Sequence, residues 1–404
     1  MTDLFNPLRS LDFGHWFKLI CGASYQHLPA VRSLTLAYAL AGADCIDVAA
    51  DPAVISAAQD ALRVASILST KSQSLGINCE VKMPFLMVSL NDGEDPHFRK
   101  AEFDERLCPS TCPRPCEKVC PAQAIVFNSH SSNFSGVVSQ KCYGCGRCIP
   151  ICPYDIIYTS SYVSTPGAIA PLVLSTGVDA VEIHTKVGRF AEFKRLWQAI
   201  EPHVEQLKLV AVSCPDGEDL IDYLHALYEL IAPTVSNLIW QTDGRPMSGD
   251  IGSGATIAAI KLGQKVLKAN LPGYVQLAGG TNSYTVAKLK AMGMLRSSAE
   301  SSAEYKVLSA ESSAECKDLI NQVSTQNSAL KTQHSYISGI AYGSYARALL
   351  SPILEQLETK EVNQYDVKCV RLEDEPELLW QAVKLAHSLV SQLKSQQSIA
   401  RTLY

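Results

Sequence analysis

The cysteines are the residues of this chain whose type and spacing could do chemistry. The sequence has 14 cysteines among 404 residues, and eight of them fall in two short runs. In a cytosolic protein, such runs are more typical of metal or redox sites than of disulfides. The first run holds Cys108, Cys112, Cys116 and Cys120, and the second holds Cys142, Cys145, Cys148 and Cys152. The first chemistry to consider is therefore the binding of metal by thiolates.

The second run has the spacing of an iron–sulfur cluster site. Its pattern is C-x2-C-x2-C-x3-C-P, as in bacterial ferredoxins, formed by Cys142, Cys145, Cys148, Cys152 and Pro153. Gly144 and Gly146 allow a backbone turn tight enough for amides to reach cluster sulfurs. A zinc site is the alternative, but zinc usually takes two separated pairs of ligands. The pattern therefore favours a [4Fe–4S] cluster over zinc.

The first run is irregular, because three residues separate each cysteine from the next. Its prolines argue against a helix through the run and predict a stiff loop that presents the thiols in turn. In two-cluster proteins, the last cysteine of one run ligates the cluster of the other run. We therefore predict one cluster, [4Fe–4S] or [3Fe–4S], at the irregular site and one [4Fe–4S] cluster at the regular site. The predicted ligand sets are Cys108, Cys112, Cys116 and Cys152 for the first, and Cys142, Cys145, Cys148 and Cys120 for the second.

Outside these runs, short apolar segments alternate with helical patterns, which is the rhythm of parallel βαβ units. The predicted strands are Phe17–Gly22, Cys45–Ala49, Pro84–Leu90, Ala180–His184, Leu207–Val212, Asn237–Trp240, Tyr274–Ala278 and Tyr336–Ala341. Without residues 101–170, 296–333 and 352–404, the length is close to the roughly 250 residues of a (β/α)8 barrel. We therefore predict an α/β protein, a (β/α)8 TIM-like barrel with an inserted α+β two-cluster ferredoxin-like domain. An open doubly wound sheet is the alternative.

The predicted organisation has four parts. Residues 1–100 form the first part of the barrel, 101–170 the ferredoxin-like insertion, 171–351 the second part of the barrel and 352–404 a C-terminal helical tail. The insertion is expected to contain strands at Ala124–Phe127, Gly136–Val138 and Asp155–Tyr158. Residues 296–333 repeat the tetrapeptide Ser-Ser-Ala-Glu and are read as a low-complexity insertion without assigned function. Apolar residues at helical spacing in the tail predict a helix packed on the barrel.

Charge and hydropathy exclude several classes of protein. The formal net charge of −5 gives no basic footprint for nucleic acid. No apolar run approaches the roughly 18 residues of a spanning helix, and the N-terminus lacks the basic start and apolar core of a signal peptide. We therefore expect a cytoplasmic protein without a transmembrane segment.

Three stretches resemble the LdpA family, the light-dependent period proteins of cyanobacteria. They are residues 16–24, residues 41–52 and the two cysteine runs. The resemblance implies an iron–sulfur redox sensor that adjusts the period of the circadian clock to light through cellular redox state. It implies circadian clock and input proteins, together with components of the electron-transport pool, as partners. We interpret the chain as a regulator rather than an enzyme and name no catalytic residue; an iron–sulfur oxidoreductase containing flavin, or an electron-carrier subunit, is the alternative.

The predicted barrel resembles the dihydroorotate dehydrogenase type in three glycine-rich segments, which are residues 245–252, 278–281 and 341–344. That resemblance implies a site for the phosphate of FMN, and its residues would be Gly279, Gly280, Gly343 and Ser344. The flavin-contacting lysine that this family carries in its fifth strand corresponds to Ala211 here. This departure puts ordinary flavin chemistry in doubt.

Four single residues in the predicted strands or just after them could also do chemistry. Cys214 would be a reactive thiol only if its pKa is lowered. Asp47 and Glu182 are acidic residues in interior strands, and a buried carboxylate needs a partner. His184 ends a strand and is read as a structural histidine, with a ligand or a base as the alternative.

Overall fold

Alternating strands and helices follow the apolar segments of the sequence. The computed structural model describes residues 7–22, 28–74, 83–93, 99–120, 123–127, 135–139, 141–142, 148–161, 166–245, 252, 254–296, 335–363, 366–367 and 370–394. In chain order the strands are β1 (Trp16–Gly22), β2 (Cys45–Ala49), β3 (Phe85–Asn91), β4 (Arg99–Glu102), β5 (Ile125–Val126), β6 (Gly136–Val137), β7 (Tyr158–Ser161), β8 (Ala180–His184), β9 (Leu209–Pro215), β10 (Leu238–Asp243), β11 (Tyr274–Ala278), β12 (Gly339–Tyr342), β13 (Val362–Asn363) and β14 (Asp366–Val367). The helices are α1 (Pro7–Asp12), α2 (Leu28–Leu40), α3 (Pro52–Ser74), α4 (Pro115–Val119), α5 (Cys148–Ile151), α6 (Pro166–Leu174), α7 (Phe190–Ile200), α8 (Leu220–Ile231), α9 (Thr256–Lys268), α10 (Thr285–Ala291), α11 (Ser344–Glu361) and α12 (Pro376–Lys394). Short 3-10 helices span Glu105–Leu107, Glu201–Gln206 and Leu372–Asp374.

Eight parallel strands close into a barrel in the order β1-β12-β11-β10-β9-β8-β3-β2. Strand β1 pairs with β2 on one side and with β12 on the other, which closes the sheet. The predicted α/β barrel is therefore confirmed, and the alternative of an open doubly wound sheet is wrong.

Side chains that point into the barrel form two tiers, because successive residues of a strand face opposite sides of the sheet. The lower tier is apolar and is closed below by Leu11 of α1; its members include Trp16, Cys45, Phe85, Met87, Ala180, Leu209, Ile239 and Tyr274. The upper tier is polar and nearly fully buried; its members are Lys18, Asp47, Ser89, Glu182, Ser213, Gln241 and Gln276. The carboxyl ends of the strands lie above this polar tier, and His184 and Asp243 stand there.

The opposite faces of the strands pack against the helices. Phe17 of β1 stacks on Tyr342 of β12 and on Tyr38 of α2, with ring centres 5.0 and 5.9 Å apart. The tail forms α12, which buries Leu378, Leu379, Val383, Leu389 and Leu393. Lys394 Nζ at its end lies 2.8 Å from Asp44 Oδ1, before β2. The predicted helix of the tail therefore does pack on the barrel.

The cysteine runs lie between β3 and β8, on the side where loops follow the carboxyl ends of barrel strands. Strands β4 and β7 pair antiparallel, as do β5 and β6. The expected strand at Asp155–Tyr158 is wrong: Asp155 has a φ of 51°, which breaks an extended chain, and β7 begins only at Tyr158.

Helix α4 corrects the expectation that prolines keep the first run free of helix. Pro115 occupies the first turn of α4, where its missing N–H is tolerated, so the helix begins at this proline. Cys116 lies within α4 and Cys120 directly after it. The Ser-Ser-Ala-Glu repeats fall outside the described residues. In the described part of the chain, no helix has the length and apolar character needed to cross a membrane.

Candidate functional site

The cysteine thiols form much of the core of the inserted segment. Among the seven clustered cysteines that the structure describes, five are buried, with at most 8% of each residue exposed: Cys112, Cys116, Cys142, Cys148 and Cys152. All but Cys112 pack in one group with apolar side chains that include Ala101, Phe103, Ile125 and Ile157. Because thiols occupy so many core positions, a cluster bound to them would hold the segment together, and folding of the segment would be coupled to cluster binding.

Cys152, which ends the second run, influences the pKa of two cysteines of the first run. Burial raises the pKa of the Cys108 thiol, and the nearby thiols of Cys112 and Cys152 raise it further. Burial also raises the pKa of Cys116, which interacts with Cys152 and Cys108. Cys152 therefore acts electrostatically on two thiols of the first run, which is the run that the crossed arrangement assigns to it.

Backbone amides donate hydrogen bonds to three of the sulfurs. The nitrogen-to-sulfur distances are 3.4 Å from Arg114 N to Cys112 Sγ, 3.2 Å from Ala124 N to Cys120 Sγ and 3.4 Å from Ala101 N to Cys142 Sγ. Such hydrogen bonds favour a thiolate over a thiol, and at cluster ligands they tune the reduction potential.

Arg114 has an unusual backbone conformation beside Cys112. Its φ of 54° and ψ of 52° lie in the left-handed region, which is strained for a residue with a side chain. Its guanidinium stands 4.2 Å from the centre of the Phe127 ring, and Phe127 packs against Phe103. This cation–π contact stabilises the conformation in which the Arg114 amide faces the Cys112 sulfur.

The structure describes three of the four cysteines in the second predicted ligand set. Cys142 and Cys148 share the apolar group, and the half-buried Cys120 packs against it. Cys145 lies outside the described residues. Among the side chains that the structure does describe, no three Cys, His, Asp or Glu groups converge closely enough to enclose a single metal ion.

A buried lysine organises the upper tier of the barrel interior. Lys18 of β1 is fully buried, and its ammonium contacts the Glu182 carboxylate directly. Its Nζ also lies 3.1 Å from Asp47 Oδ2 and 3.0 Å from Gln241 Oε1. Asp47 and Glu182, the two acidic residues singled out from the sequence, therefore share one cation.

Amides and hydroxyls extend this network across the barrel. Gln241 Nε2 donates to Glu182 Oε1 at 2.5 Å, and Gln276 Nε2 donates to Gln241 Oε1 at 2.6 Å. Trp16 Nε1 donates to Gln276 Oε1 at 2.6 Å, which ties the polar tier to the apolar tier. The role of Lys18 and of the two glutamines was missed in the sequence, where the only signal was a polar residue at every second position of an apolar strand.

Asp243 ends β10 at the mouth of the barrel. Burial raises the pKa of its carboxyl group to about 6, although Lys18 acts in the opposite direction. A Cβ atom added to Gly279 would lie only 2.1 Å from Asp243 Oδ1. Any residue with a side chain at position 279 would therefore clash with the carboxylate. Part of Asp243 reaches the mouth, while protein encloses its carboxylate on most sides.

We expect Asp243→Asn to stabilise the protein at neutral pH. The folded pKa of about 6 lies above the ordinary value of 3.8 for an aspartate, so the stability linked to the protonated carboxyl is present below pH 3.8 and is lost as pH rises through 6. The amide should therefore raise the free energy of unfolding by about 3 kcal/mol above pH 7 and by nearly nothing below pH 4. Urea unfolding at several pH values measures this difference; a pH-independent difference would show that the carboxyl does not titrate as described.

The two pairs of residues predicted to bind phosphate, Gly279 with Gly280 and Gly343 with Ser344, have different surroundings. The Asp243 carboxylate lies beside Gly279. The carbonyl oxygen of Ala255 lies beside Gly280, 2.6 Å from the position that a Cβ atom would take on this glycine. Both oxygens repel an anion. Gly343 directly precedes α11 and Ser344 is its first residue, and Arg347 Nη2 lies 3.3 Å from Ser344 Oγ. The positive end of a helix and a guanidinium therefore suit an anion at this second pair.

The three barrel thiols that the structure describes do not have the character of reactive cysteines. Burial raises the pKa of Cys214 and of Cys21 to about 12, and it raises that of Cys45 well above its ordinary value. The condition set for a reactive Cys214, a lowered pKa, is therefore not met.

Two family models match different parts of this chain. The model of the LdpA Fe-S cluster-binding domain matches residues 108–163, a range that contains all eight clustered cysteines. The model of the Light dependent period A C-terminal domain matches residues 172–392. A protein of Synechococcus elongatus named Light dependent period A is 46% identical over 388 residues, which cover 96% of this chain and 94% of the relative. An iron–sulfur-binding segment within a barrel and near full-length similarity lead to one conclusion: the chain belongs to the Light dependent period A family.

Proposed function

We propose that this protein is an iron–sulfur redox sensor that adjusts the period of the circadian clock to light through cellular redox state. The observation that carries the proposal is a core of buried thiols, in which Cys116 and Cys152 pack in one group with Cys142 and Cys148. The family model for an Fe-S cluster-binding domain and the name of the relative support it.

Two clusters are the cofactors in this proposal. Cys108, Cys112, Cys116 and Cys152 would hold one, and Cys142, Cys145, Cys148 and Cys120 would hold the other, each as [4Fe–4S] or, at the irregular site, as [3Fe–4S]. Buried thiols that accept amide hydrogen bonds suit iron–sulfur clusters, which take up and release single electrons when bound.

A buried ion pair offers a route by which the clusters could influence the barrel. Lys100 of β4 lies 3.1 Å from Asp51, which follows β2, and both side chains are nearly inaccessible to solvent. The next residue, Ala101, donates its amide to the sulfur of Cys142. Asp51 also accepts a hydrogen bond from Ala53 N in the first turn of α3, at 2.7 Å. A change of charge at the cluster would therefore act on a strand that is joined to the barrel.

We expect Lys100→Met to remove the coupling between the cluster segment and the barrel while the clusters remain bound. In the wild-type protein, amide hydrogen exchange near Asp51 and Ala53 should differ between dithionite-reduced and air-free oxidised samples. In Lys100→Met this difference should fall to the level of measurement error, because the buried ion pair is lost. Lys265→Met, which removes an exposed ion pair with Asp216, is the control and should leave the difference unchanged. An undiminished difference in Lys100→Met would exclude this route.

Exposed apolar side chains close in sequence to cysteines of the first cluster set suit contact with partners. Leu107 and Ile151, each adjacent to a cysteine of that set, are 60% and 44% exposed. Tyr154 and Tyr158, which follow Cys152 in the chain, are also exposed. Circadian clock and input proteins are the proposed partners, and components of the electron-transport pool are the proposed source of electrons, in the cytoplasm. The same surface would serve an electron-carrier subunit, which remains the second candidate.

The period of the clock under different light tests the proposal. A strain of Synechococcus elongatus that carries this chain in place of its own relative should shorten or lengthen its period with light intensity as the parent strain does. A Cys116→Ala, Cys148→Ala double variant should make the period independent of light intensity. Cys214→Ala, which alters a buried barrel thiol, is the matched control. A light-dependent period in the double variant would contradict the sensor and favour a carrier or enzyme.

For the barrel, a phosphate site is proposed at Gly343 and Ser344, and FMN is not assigned. Ala211, at the position of the expected flavin-contacting lysine, lies in the lower tier and is fully buried. Gly279 and Gly280, the other half of the expected site, face electron-rich oxygens. The residues present do not fit FMN, and no step of the proposed function uses it.

A further inference from the structure

Arg114 brings two positively charged groups to the cysteines of the first run. Its main-chain N–H donates to Cys112 Sγ, with a nitrogen-to-sulfur distance of 3.4 Å, and its guanidinium lies 4.2 Å from the centre of the Phe127 ring. Hydrogen bonds to the ligand sulfurs and the local net charge are two of the factors that set the reduction potential of an iron–sulfur cluster. Both factors therefore come from a single residue here.

The backbone of Arg114 is held in the conformation that makes this hydrogen bond. Its φ of 54° and ψ of 52° are left-handed, and the ring of the following Pro115 disfavours the right-handed helical alternative. Glycine would adopt the left-handed conformation without strain, whereas an arginine has to offset the strain through its side chain. The contact between the guanidinium and Phe127 provides that compensation, so the side chain and the amide act together.

Phe127 holds the guanidinium close to the core of buried thiols. Its ring lies 5.7 Å from that of Phe103, and it packs against the group of apolar side chains and thiols to which Phe103 belongs. Burial raises the pKa of the Cys108 thiol, and the charge of Arg114 acts in the opposite direction. The positive charge of Arg114 is therefore felt at a second sulfur of the first run, besides the one that its amide contacts.

We propose that Arg114 sets the reduction potential of the first cluster, the one assigned to Cys108, Cys112, Cys116 and Cys152. Reduction adds one electron to the cluster, and a positive charge nearby stabilises the added negative charge. The guanidinium and the amide of Arg114 therefore raise the potential at which this cluster takes up its electron. The inference rests on the proposed iron–sulfur function, and it names the residue that determines the cellular potential at which the sensor responds.

A redox titration of the full chain with its clusters bound, followed by electron paramagnetic resonance, tests the proposal. Arg114→Gly removes the guanidinium, while glycine tolerates the left-handed conformation and so keeps the amide at the Cys112 sulfur. At a fixed solution potential, the ratio of reduced to oxidised first cluster should fall about tenfold, which for one electron is a midpoint about 59 mV more negative. Arg114→Lys keeps the charge and should stay closer to the wild-type midpoint. The second cluster should shift less than the first.

Two further variants keep the test decisive. Arg106→Gln alters an arginine of the same segment whose side chain is 84% exposed, so water screens its charge and the ratio should change less than about twofold. Phe127→Leu leaves position 114 unchanged but frees the guanidinium, and it should shift the midpoint in the same direction as Arg114→Gly; it decides the question if Arg114→Gly binds no cluster. An unchanged midpoint in the deciding variant, at full iron content, would overturn the inference. Absence of both cluster signals from the wild-type protein would instead contradict the proposed function.

Discussion

Lys18→Met should lower the free energy of unfolding by about 3–5 kcal/mol, because it leaves two buried carboxylates without their shared cation. Methionine matches the length of the lysine stem, so the loss measures the ammonium rather than a cavity. Urea unfolding at neutral pH, followed by tryptophan fluorescence, gives the value. A loss below 1 kcal/mol would show that the carboxylates find other partners.

Two further variants separate charge from packing at this site. Glu182→Gln in the Lys18→Met background removes one of the uncompensated carboxylates and should restore part of the lost stability. Lys265→Met removes an exposed cation that pairs with Asp216, and its effect should stay within about 0.5 kcal/mol. If the double variant were no more stable than Lys18→Met, repulsion between buried carboxylates would not be the cause of the loss.

Single cysteine variants should fall into two groups, and each group should contain cysteines from both sequence runs. Cys116→Ala and Cys152→Ala should each abolish the electron paramagnetic resonance signal of one cluster and about half of the iron, because each removes a ligand of the same cluster. Cys148→Ala and Cys120→Ala should each abolish the other signal. Spectra of dithionite-reduced, anaerobically purified protein provide the measurement.

The grouping of Cys152 decides the ligation. If Cys152→Ala removed the same signal as Cys148→Ala, each sequence run would hold its own cluster. Cys45→Ala, which alters a buried barrel thiol, is the control and should keep both signals. Retention of both signals in all four ligand variants would show that these cysteines hold no cluster.

Much of the barrel could be predicted from the sequence, because strands buried on both faces read as short apolar runs. Cys45–Ala49, Ala180–His184 and Tyr274–Ala278 have the predicted bounds. Strand β10 continues to Asp243, three residues beyond the predicted end at Trp240. Its last residues are polar because they face the interior network, and an apolar pattern alone does not extend over them.

Contacts between distant residues could not be predicted in this way. Lys18 and Glu182 are separated by 164 positions, and only closure of the barrel brings them together. The contact between Gly279 and Asp243 could not be predicted either. The sequence suggested a phosphate site at this glycine, whereas the structure places the Asp243 carboxylate beside it. The cysteine spacing, in contrast, identified the iron–sulfur segment because cluster ligands are close in sequence.

Iron and acid-labile sulfide counted per chain in anaerobically purified wild-type protein tests the central claim most directly. Two [4Fe–4S] clusters require eight iron and eight sulfide ions, and a [3Fe–4S] cluster at the irregular site lowers the iron count by one. The account predicts seven or eight iron ions in every fully loaded preparation. About four iron ions per chain after reconstitution with excess iron and sulfide would mean that one cysteine set is not a cluster site.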